Sequence, residues 1–325
     1  YGRFDMKKAI NFFSLAANQN FSVSQNNLGN IYENGKHVVS DLNKAYNYYL
    51  QSANNKDPNG QYYLGNFYYK NGISINKAIY YLTLSSNQNN ANAQNILGFI
   101  YSDENKPMRN MKKAIFYFTL SSKNRCKSSH FPVGYFYHEG KYVKRDIKKS
   151  IHYYKEASSF NDQFSKNNLG IIYKNGFDDE IQKNIGLAIT YFEEAIKQRN
   201  DMISKYNLAH LFIYEDQQRN MIKKAIELLI SLFKTYFQPA KELLCIALII
   251  YYESNLENIK QDYQSNENLM AIFQMIENQH LYIKSSFEEK YEQYKNIDFV
   301  YDYLNRYILS SKLKEGDSKP ANPKI

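Results

Sequence analysis

A two-word pattern recurs along the chain at a near-constant interval, and no other feature limits the possible folds as strongly. The first word, Leu-Gly-x-x-Tyr, starts at Leu28, Leu64, Leu97, Val133 and Leu169, with a degraded Leu-Ala-x-x-Phe at Leu208. The steps between these starts are 36, 33, 36, 36 and 39 residues. The stretches around Leu28 and Leu169 even share an identical Asn-Asn-Leu-Gly opening. The second word is Lys-Ala with a bulky pair three and four residues on. It reads Lys8-Ala9 with Phe12-Phe13, Lys44-Ala45 with Tyr48-Tyr49, Lys77-Ala78 with Tyr81-Leu82 and Lys113-Ala114 with Tyr117-Phe118. It continues as Lys149-Ser150 with Tyr153-Tyr154, Leu187-Ala188 with Tyr191-Phe192 and Lys224-Ala225 with Leu228-Leu229. Seven positions after the Ala stands a small residue: Ala16, Ser52, Ser85, Ser121, Ala157 and Ala195.

Both words have helical spacing, since i, i+1 and i+4, or i, i+3, i+4 and i+7, fall on one side of a helix. Between them sits a turn: Asn34-Gly35, Asn71-Gly72, Glu139-Gly140 and Asn175-Gly176. Asp41, Asn76, Asn110, Asp146, Asn184 and Asn220 stand where the second helix would be N-capped. Each unit therefore reads as helix–turn–helix. The small residues let backbones approach and the aromatics fill the gaps between helices. A hairpin of about this size cannot bury both faces alone, so neighbours must stack into a solenoid.

The joint pattern resembles the Sel1-like repeat, a relative of the tetratricopeptide repeat. The residues that carry the resemblance are Leu28, Gly29, Tyr32 and Gly35; Val133, Gly134, Tyr137 and Gly140; Leu169, Gly170, Tyr173 and Gly176; and Asp41, Lys44, Ala45 with Asp146, Lys149, Ser150. It covers roughly residues 1–236. The chain departs from the family's pattern in having no Trp, with Tyr or Phe at the usual Trp position of the second helix, and in replacing the Gly turn after Leu97 by "SDENKP". The resemblance implies an all-α, right-handed superhelix that assembles protein complexes, including adaptors of ubiquitin ligases and of protein quality control at the endoplasmic reticulum.

The expected organisation is a partial first repeat over 1–22 (second helix only), a repeat solenoid over 23–253, a helical region over 254–310 and a disordered tail over 311–325. In the third segment Leu269, Ile272, Phe273 and Ile276, then Val300, Tyr303, Leu304 and Tyr307, mark two helical stripes that either cap the solenoid or meet a partner. The sequence opens at Tyr1 on a second-helix word, which suggests a fragment of a longer protein.

Composition narrows the function classes. The longest apolar run, Leu243 to Tyr252, is too short for a span that needs about 20 residues, and it reads as a buried helix. Two cysteines, Cys126 and Cys245, form neither a disulfide framework nor a zinc pattern, which fits a reduced, cytoplasmic setting, with association to the endoplasmic reticulum as the alternative. The Gly-rich segments "GNIYENGK" and "GYFYHEGK" have five residues between glycines where a phosphate loop needs four, and no Ser or Thr follows the Lys. The six His, at positions 37, 130, 138, 152, 210 and 280, form no metal-ligand pair, and "FDDE" at 177–180 reads as a solvated loop. Cys126 and His130 are four apart, close enough for a thiol–imidazole contact but with nothing to orient the ring. No cofactor, metal or catalytic residue is assigned, and the chain is read as a non-enzyme.

The net charge of +9 raises nucleic acid as a partner. The ladder of Lys8, Lys44, Lys77, Lys113, Lys149 and Lys224 lies on second helices, the convex side of such arrays, and no RNA-reading aromatic motif accompanies it, so nucleic acid is disfavoured. The resemblance to tetratricopeptide-like arrays implies that first helices line the concave side. Two before Leu and one after Gly, the expected groove positions read Asn26 and Asn30, Tyr62 and Asn66, Asn95 and Phe99, Phe131 and Tyr135, Asn167 and Ile171, Tyr206 and His210. Amides and aromatics with little charge suit an extended polypeptide, since a carboxamide both donates to and accepts from a peptide backbone. The expected function is a protein-binding scaffold or adaptor. The alternative is the repeat part of a larger signalling enzyme such as a protein kinase.

Overall fold

The computed structural model describes residues 6–233 apart from 36–37, 178–179 and 217–218, together with residues 240, 243, 244 and 247. The expected C-terminal helices and tail lie outside these residues. Among the described residues there are 13 α-helices and a short 3-10 turn, with one isolated bridge, Phe177 to Ile181, as the sole extended pairing. The helices are α1 (Met6–Asn18), α2 (Ser22–Asn34), α3 (Leu42–Asn54), α4 (Pro58–Lys70), α5 (Ile75–Ser86), α6 (Ala91–Ser102) and α7 (Met111–Lys123). The 3-10 turn Lys127–Ser129 then leads into α8 (His130–Glu139), α9 (Ile147–Ser159), α10 (Gln163–Asn175), α11 (Ile185–Arg199), α12 (Met202–Tyr214) and α13 (Arg219–Phe233). Even-numbered helices carry the Leu-Gly-x-x-Tyr word and odd-numbered helices the Lys-Ala word, as the spacing predicts.

Two compact units share the chain. The first comprises residues 1–169 and 177–182, the second residues 170–176 and everything from 183 on. In the first unit, consecutive helices pair as hairpins, and the first helices of neighbouring repeats also touch, α2 with α4 and α4 with α6. Its core is one ladder of repeat-word residues: Ala45, Tyr49, Leu64, Ala78, Leu82, Leu97, Ala114, Phe118 and Val133. In the second unit Ala188, Phe192, Leu208, Phe212, Ala225 and Leu229 form a separate core, which also takes in Leu243, Leu244 and Ala247 from the start of the apolar run.

The hairpin turns close as expected, with Gly35 and Gly140 in the left-handed region at φ 63° and 68°, where a side chain would be strained. Asp41, Asn110, Asp146 and Asn184 cap their helices, each accepting from the backbone N–H three residues on. Asn76 does not: α5 starts earlier and Ser74 is its cap, accepting from Lys77 N at 3.3 Å. The position expected for Asn220 falls inside α13. Four of the first helices are capped as well, α4, α6, α10 and α12, by Asp57, Asn90, Asp162 and Asp201, whereas α2 and α8 have no side-chain cap.

The loops between repeats hold a feature the sequence reading missed. Asn20, Lys56, Asn89, Arg125, Asn161 and Asn200 all have positive φ, between 55° and 66°, in strict register eight residues before each first-word Leu. The left-handed residue ends each second helix and redirects the chain into the next first helix. Four of the six loops place Asn there at low cost; Lys56 and Arg125 have no such excuse.

Candidate functional site

The repeat words assemble a stack that recurs in every repeat of the first unit. The tyrosine of the first word lies parallel to a second-helix tyrosine: Tyr32 with Tyr48, Tyr68 with Tyr81, Tyr101 with Tyr117, and Tyr137 with Tyr153, with centroids 5.7–6.1 Å apart. The ladder lysine sits over the first-helix ring, Lys44 over Tyr32 at 5.0 Å, Lys77 over Tyr68 at 5.4 Å, Lys113 over Tyr101 at 5.0 Å and Lys149 over Tyr137 at 5.3 Å. Lys44 and Lys149 also pair with their own cap residues, Asp41 and Asp146. In the second unit Tyr173 stacks on Tyr191 at 5.8 Å, where the sequence puts Leu187 in the lysine position. The lysine ladder is thus tied into the packing of each hairpin as well as facing water.

A second periodic device is polar and buried. Gln25, Gln61 and Gln94, three residues before the Leu, accept from amides in the loop after the second helix of the same repeat: Asn55 at 3.2 Å, Gln88 at 2.9 Å and Asn124 at 2.9 Å. Gln25 and Gln94 donate back to the last turn of the preceding second helix, at Ala17 O and Ser86 O. The hydroxyls of Ser85 and Ser121 donate to the opening carbonyls of their first helices, Pro58 and Ala91, at 2.6 Å. Buried side chains with these bonds made are specific spacers; left unmade they would cost more than they return.

The expected groove residues divide in two. Asn26, Asn95 and Asn167 are buried, contrary to the expectation that the position two before Leu faces solvent. Asn26 donates through Nδ2 to Asp57 at 2.9 Å, and Asn95 accepts from Ser129 Oγ at 2.7 Å; both partners open the first helix of the next repeat. Helix geometry gives the reason. At about 100° per residue the buried arc runs from four before the Leu, through the Leu and the Gly, and the position two before Leu lies at its edge, against the next first helix. The exposed arc is centred instead on one before Leu and two after it. Asn30 lies there, exposed, with Asn34 donating to its side chain. Asn66 lies there half-buried. Phe99 and Tyr135 lie there 42% and 45% exposed. Residues the sequence reading passed over share the arc: Asn27, Asn59, Asn92 and Phe164 exposed, Tyr63 and Asn168 half-buried.

Tyr62 is half-buried beside Tyr63, with ring centroids 5.1 Å apart, and burial pushes its hydroxyl above the usual tyrosine range. Phe131 joins Tyr135 at 6.3 Å and Phe164 at 5.8 Å, so α8 and α10 share an aromatic surface. In the second unit Tyr206 lies 6.3 Å from His210, which packs on Tyr214 at 4.5 Å and faces Lys174 Nζ at 3.2 Å from Nδ1. Burial first, then the Lys174 ammonium, pushes His210 down to about 4.

His130 Nδ1 lies 2.9 Å from the Cys126 carbonyl oxygen, so the ring engages the backbone rather than the sulfur. Burial pushes the Cys126 thiol up, but hydroxyls of Ser128, Ser121 and Ser129 outweigh it and leave the thiol below its usual value. Among the described residues no three His, Cys, Asp or Glu are grouped to hold a metal ion, and no helix is long and apolar enough to cross a membrane. Two residues of "FDDE" lie outside the described residues.

The Sel1 repeat model matches six successive segments, residues 2–21, 22–57, 58–90, 91–125, 128–159 and 164–200. The chain belongs to the Sel1 repeat family. The hairpin α12–α13 follows the last matched repeat and keeps the same helix–turn–helix form. Among solved structures the chain is similar to a Sel1 repeat protein from Oxalobacter formigenes, with TM-score 0.53 and 21% identity over 70% of this chain and 88% of that one. A protective antigen of uropathogenic Escherichia coli strains, displaying an SLR fold, gives 0.46 and 19% over 75% and 64%. Immunity protein Pa5087 from Pseudomonas aeruginosa gives 0.40 and 18% over 61% and 74%. At these identities the likeness concerns fold alone. Comparison with curated protein sequences gave no match.

Proposed function

We propose that this Sel1 repeat chain is a non-catalytic scaffold that binds extended polypeptide segments along the exposed arc of its first helices. The observation that carries the reading is the makeup of that arc in the first unit. Asn27, Asn30, Asn59, Asn66 and Asn92 give way along the chain to Phe99, Tyr135 and Phe164, with charge on the arc confined to helix ends at Lys70 and Glu139. Carboxamides satisfy a peptide backbone in either sense, and exposed rings supply rigid area at low entropic cost. Asn26, Asn95 and Asn167 serve a different purpose in this reading. Asn26 and Asn95 hold neighbouring repeats in register through Asp57 and Ser129, and so set the spacing at which the arc residues are presented.

A polyanion reading of the lysine ladder draws less support, because the four described lysines of the ladder's middle are each held over a tyrosine ring. Affinity capture from lysate, identified by mass spectrometry at low and moderate salt, tests the choice. A polypeptide partner that survives salt and is lost from an Asn30/Asn66/Phe99/Tyr135→Ala variant of unchanged helicity supports the groove. Capture unchanged in that variant sinks it. A steep loss with salt would favour the lysine face, since counterion release scales with the number of contacts.

A further inference from the structure

Cations are not spread evenly over the repeats. Around the turn between α6 and α7 the chain reads "DENKPMRNMKK" over 103–113, and around the turn between α8 and α9 it reads "EGKYVKRDIKK" over 139–149. Together the two stretches hold nine lysines and arginines against four acids, a net +5 out of the chain's +9. The α4–α5 turn, "NGIS" over 71–74, is uncharged.

The two basic turns adjoin. Arg109 Nη2 donates to the Tyr142 hydroxyl at 3.3 Å, from one turn to the other, and pairs with Glu104 at 2.8 Å. Asp146 pairs with Lys149 at 3.0 Å and caps α9, and Asp103 accepts from the Asn105 backbone N–H at 3.0 Å. Three of the four acids are therefore engaged within their own turns. Lys106, Lys112, Lys144 and Lys148 are exposed and form no ion pair among the described residues. They are not the ladder lysines, Lys113 and Lys149, which stand over tyrosine rings.

We propose that this edge, formed by the α6–α7 and α8–α9 turns, is a docking surface for an acidic polypeptide segment of a partner protein. Charge complementarity defines the occupant, since like charges held on neighbouring turns repel until carboxylates come between them. The chain's own residues 254–325 are a poor source of those carboxylates, because they hold 11 acids interleaved with nine bases. A single-stranded nucleic acid fits less well, because it needs ring faces on which to stack. The exposed ring on this edge, Tyr142, carries Lys141 over its face at 5.4 Å and accepts from Arg109 through its hydroxyl. A lipid surface would find little to insert, because Val143 packs against the core. Each exposed contact is weak, so affinity comes from several acting together and falls with salt. The inference stands on the turns and is independent of the arc reading above.

The test uses the 325-residue chain and fluorescence anisotropy, with a fluorescein-labelled Glu-Ser repeat peptide and an oligothymidylate of equal length as probes. The Glu-Ser peptide should bind saturably. Lys106/Lys112/Lys144/Lys148→Gln should weaken that binding by about tenfold or more, whereas Lys7/Lys123/Lys155/Lys197→Gln, which removes the same charge from other surfaces, should weaken it by less than about threefold. All eight side chains are exposed, so neither set should move the thermal melt, which separates lost docking from lost folding. The Asn30/Asn66/Phe99/Tyr135→Ala variant should keep the Glu-Ser affinity, which separates this surface from the arc. Absence of saturable Glu-Ser binding, equal losses in the two lysine variants, loss in the arc variant, or tighter binding of oligothymidylate at the same four lysines overturns the proposal.

Discussion

The Lys113 ammonium lies 5.0 Å from the centre of the Tyr101 ring, and that ring lies parallel to Tyr117 at 5.7 Å. Lysine, first-helix tyrosine and second-helix tyrosine thus join the two helices of one repeat through words about a dozen residues apart. The arrangement explains why a lysine recurs before the small residue in most repeats and why its absence at Leu187 leaves only the tyrosine pair.

A double-mutant cycle between Lys113→Met and Tyr101→Leu should return a coupling of about 0.5–1 kcal/mol, the usual range for an exposed cation over a ring. Urea unfolding followed by circular dichroism measures it. Zero coupling would make the lysine a solvated residue that happens to lie near the ring, and would return the ladder to the pool of candidates for binding an acidic partner.

Close approach at the first-word glycine predicts the opposite of helix propensity. Alanine normally stabilises a helix over glycine by about 0.5–1 kcal/mol. At Gly134 the added Cβ would stand 2.7 Å from Tyr154, a ring with no exposed area and with its hydroxyl bonded to Asn168 at 3.0 Å. The ring cannot yield without losing that bond. Gly134→Ala should therefore destabilise by about 1–3 kcal/mol, the usual cost of overpacking. The unfolding midpoint in urea decides it; a rise would show that the hairpin has slack.

Much of this architecture was legible in the sequence because the words that announce it are packing residues. Leu28, Tyr32, Lys44 and Tyr49 all sit where their spacing put them, and Asp41 and Asp146 cap as their positions suggest. What was not legible depends on rotation about a helix rather than on spacing along it. Asn26 and Asn30 look alike in the sequence, but one faces Asp57 across a repeat junction and the other faces water. The missed clue was the polar triplet Ser24-Gln25-Asn26: buried glutamine before the Leu shifts the exposed arc away from the position two before it. Asn76 misled for a similar reason, because Ser74, two residues earlier, competes as a cap and wins.

The left-handed loop residues give a stabilising prediction. Lys56, at φ 58°, and Arg125, at φ 64°, hold a conformation that costs a side-chain-bearing residue about 1–2 kcal/mol, whereas glycine adopts it freely. Part of the gain is returned through the greater freedom of glycine in the unfolded chain. Lys56→Gly or Lys56→Asn should still raise stability by about 0.5–1 kcal/mol, and the same change in a helix, at Lys113, should lower it. Thermal melts of the two variants side by side provide the comparison.

His210 predicts an acid dependence specific to the second unit. Burial is the main cause of its depressed value of about 4, and the Lys174 ammonium adds to it, while Glu215 opposes them. Tyr206 and Tyr214 flank the ring, and neutral His210 can accept from Lys174 at 3.2 Å. The unfolded chain protonates this histidine near its ordinary value of 6.5, before the folded protein does. Between those two values the unfolded state binds more protons. The stabilising contribution of neutral His210 is therefore complete above about 6.5 and lost as pH falls toward about 4. The imidazole C–H resonances should report a histidine still neutral at pH 5. A His210→Gln variant, which keeps an acceptor for Lys174 but cannot titrate, should lose less stability between pH 7 and 4.5 than the parent chain. Equal losses in the two proteins would place the acid sensitivity on other groups and leave His210 an ordinary surface histidine.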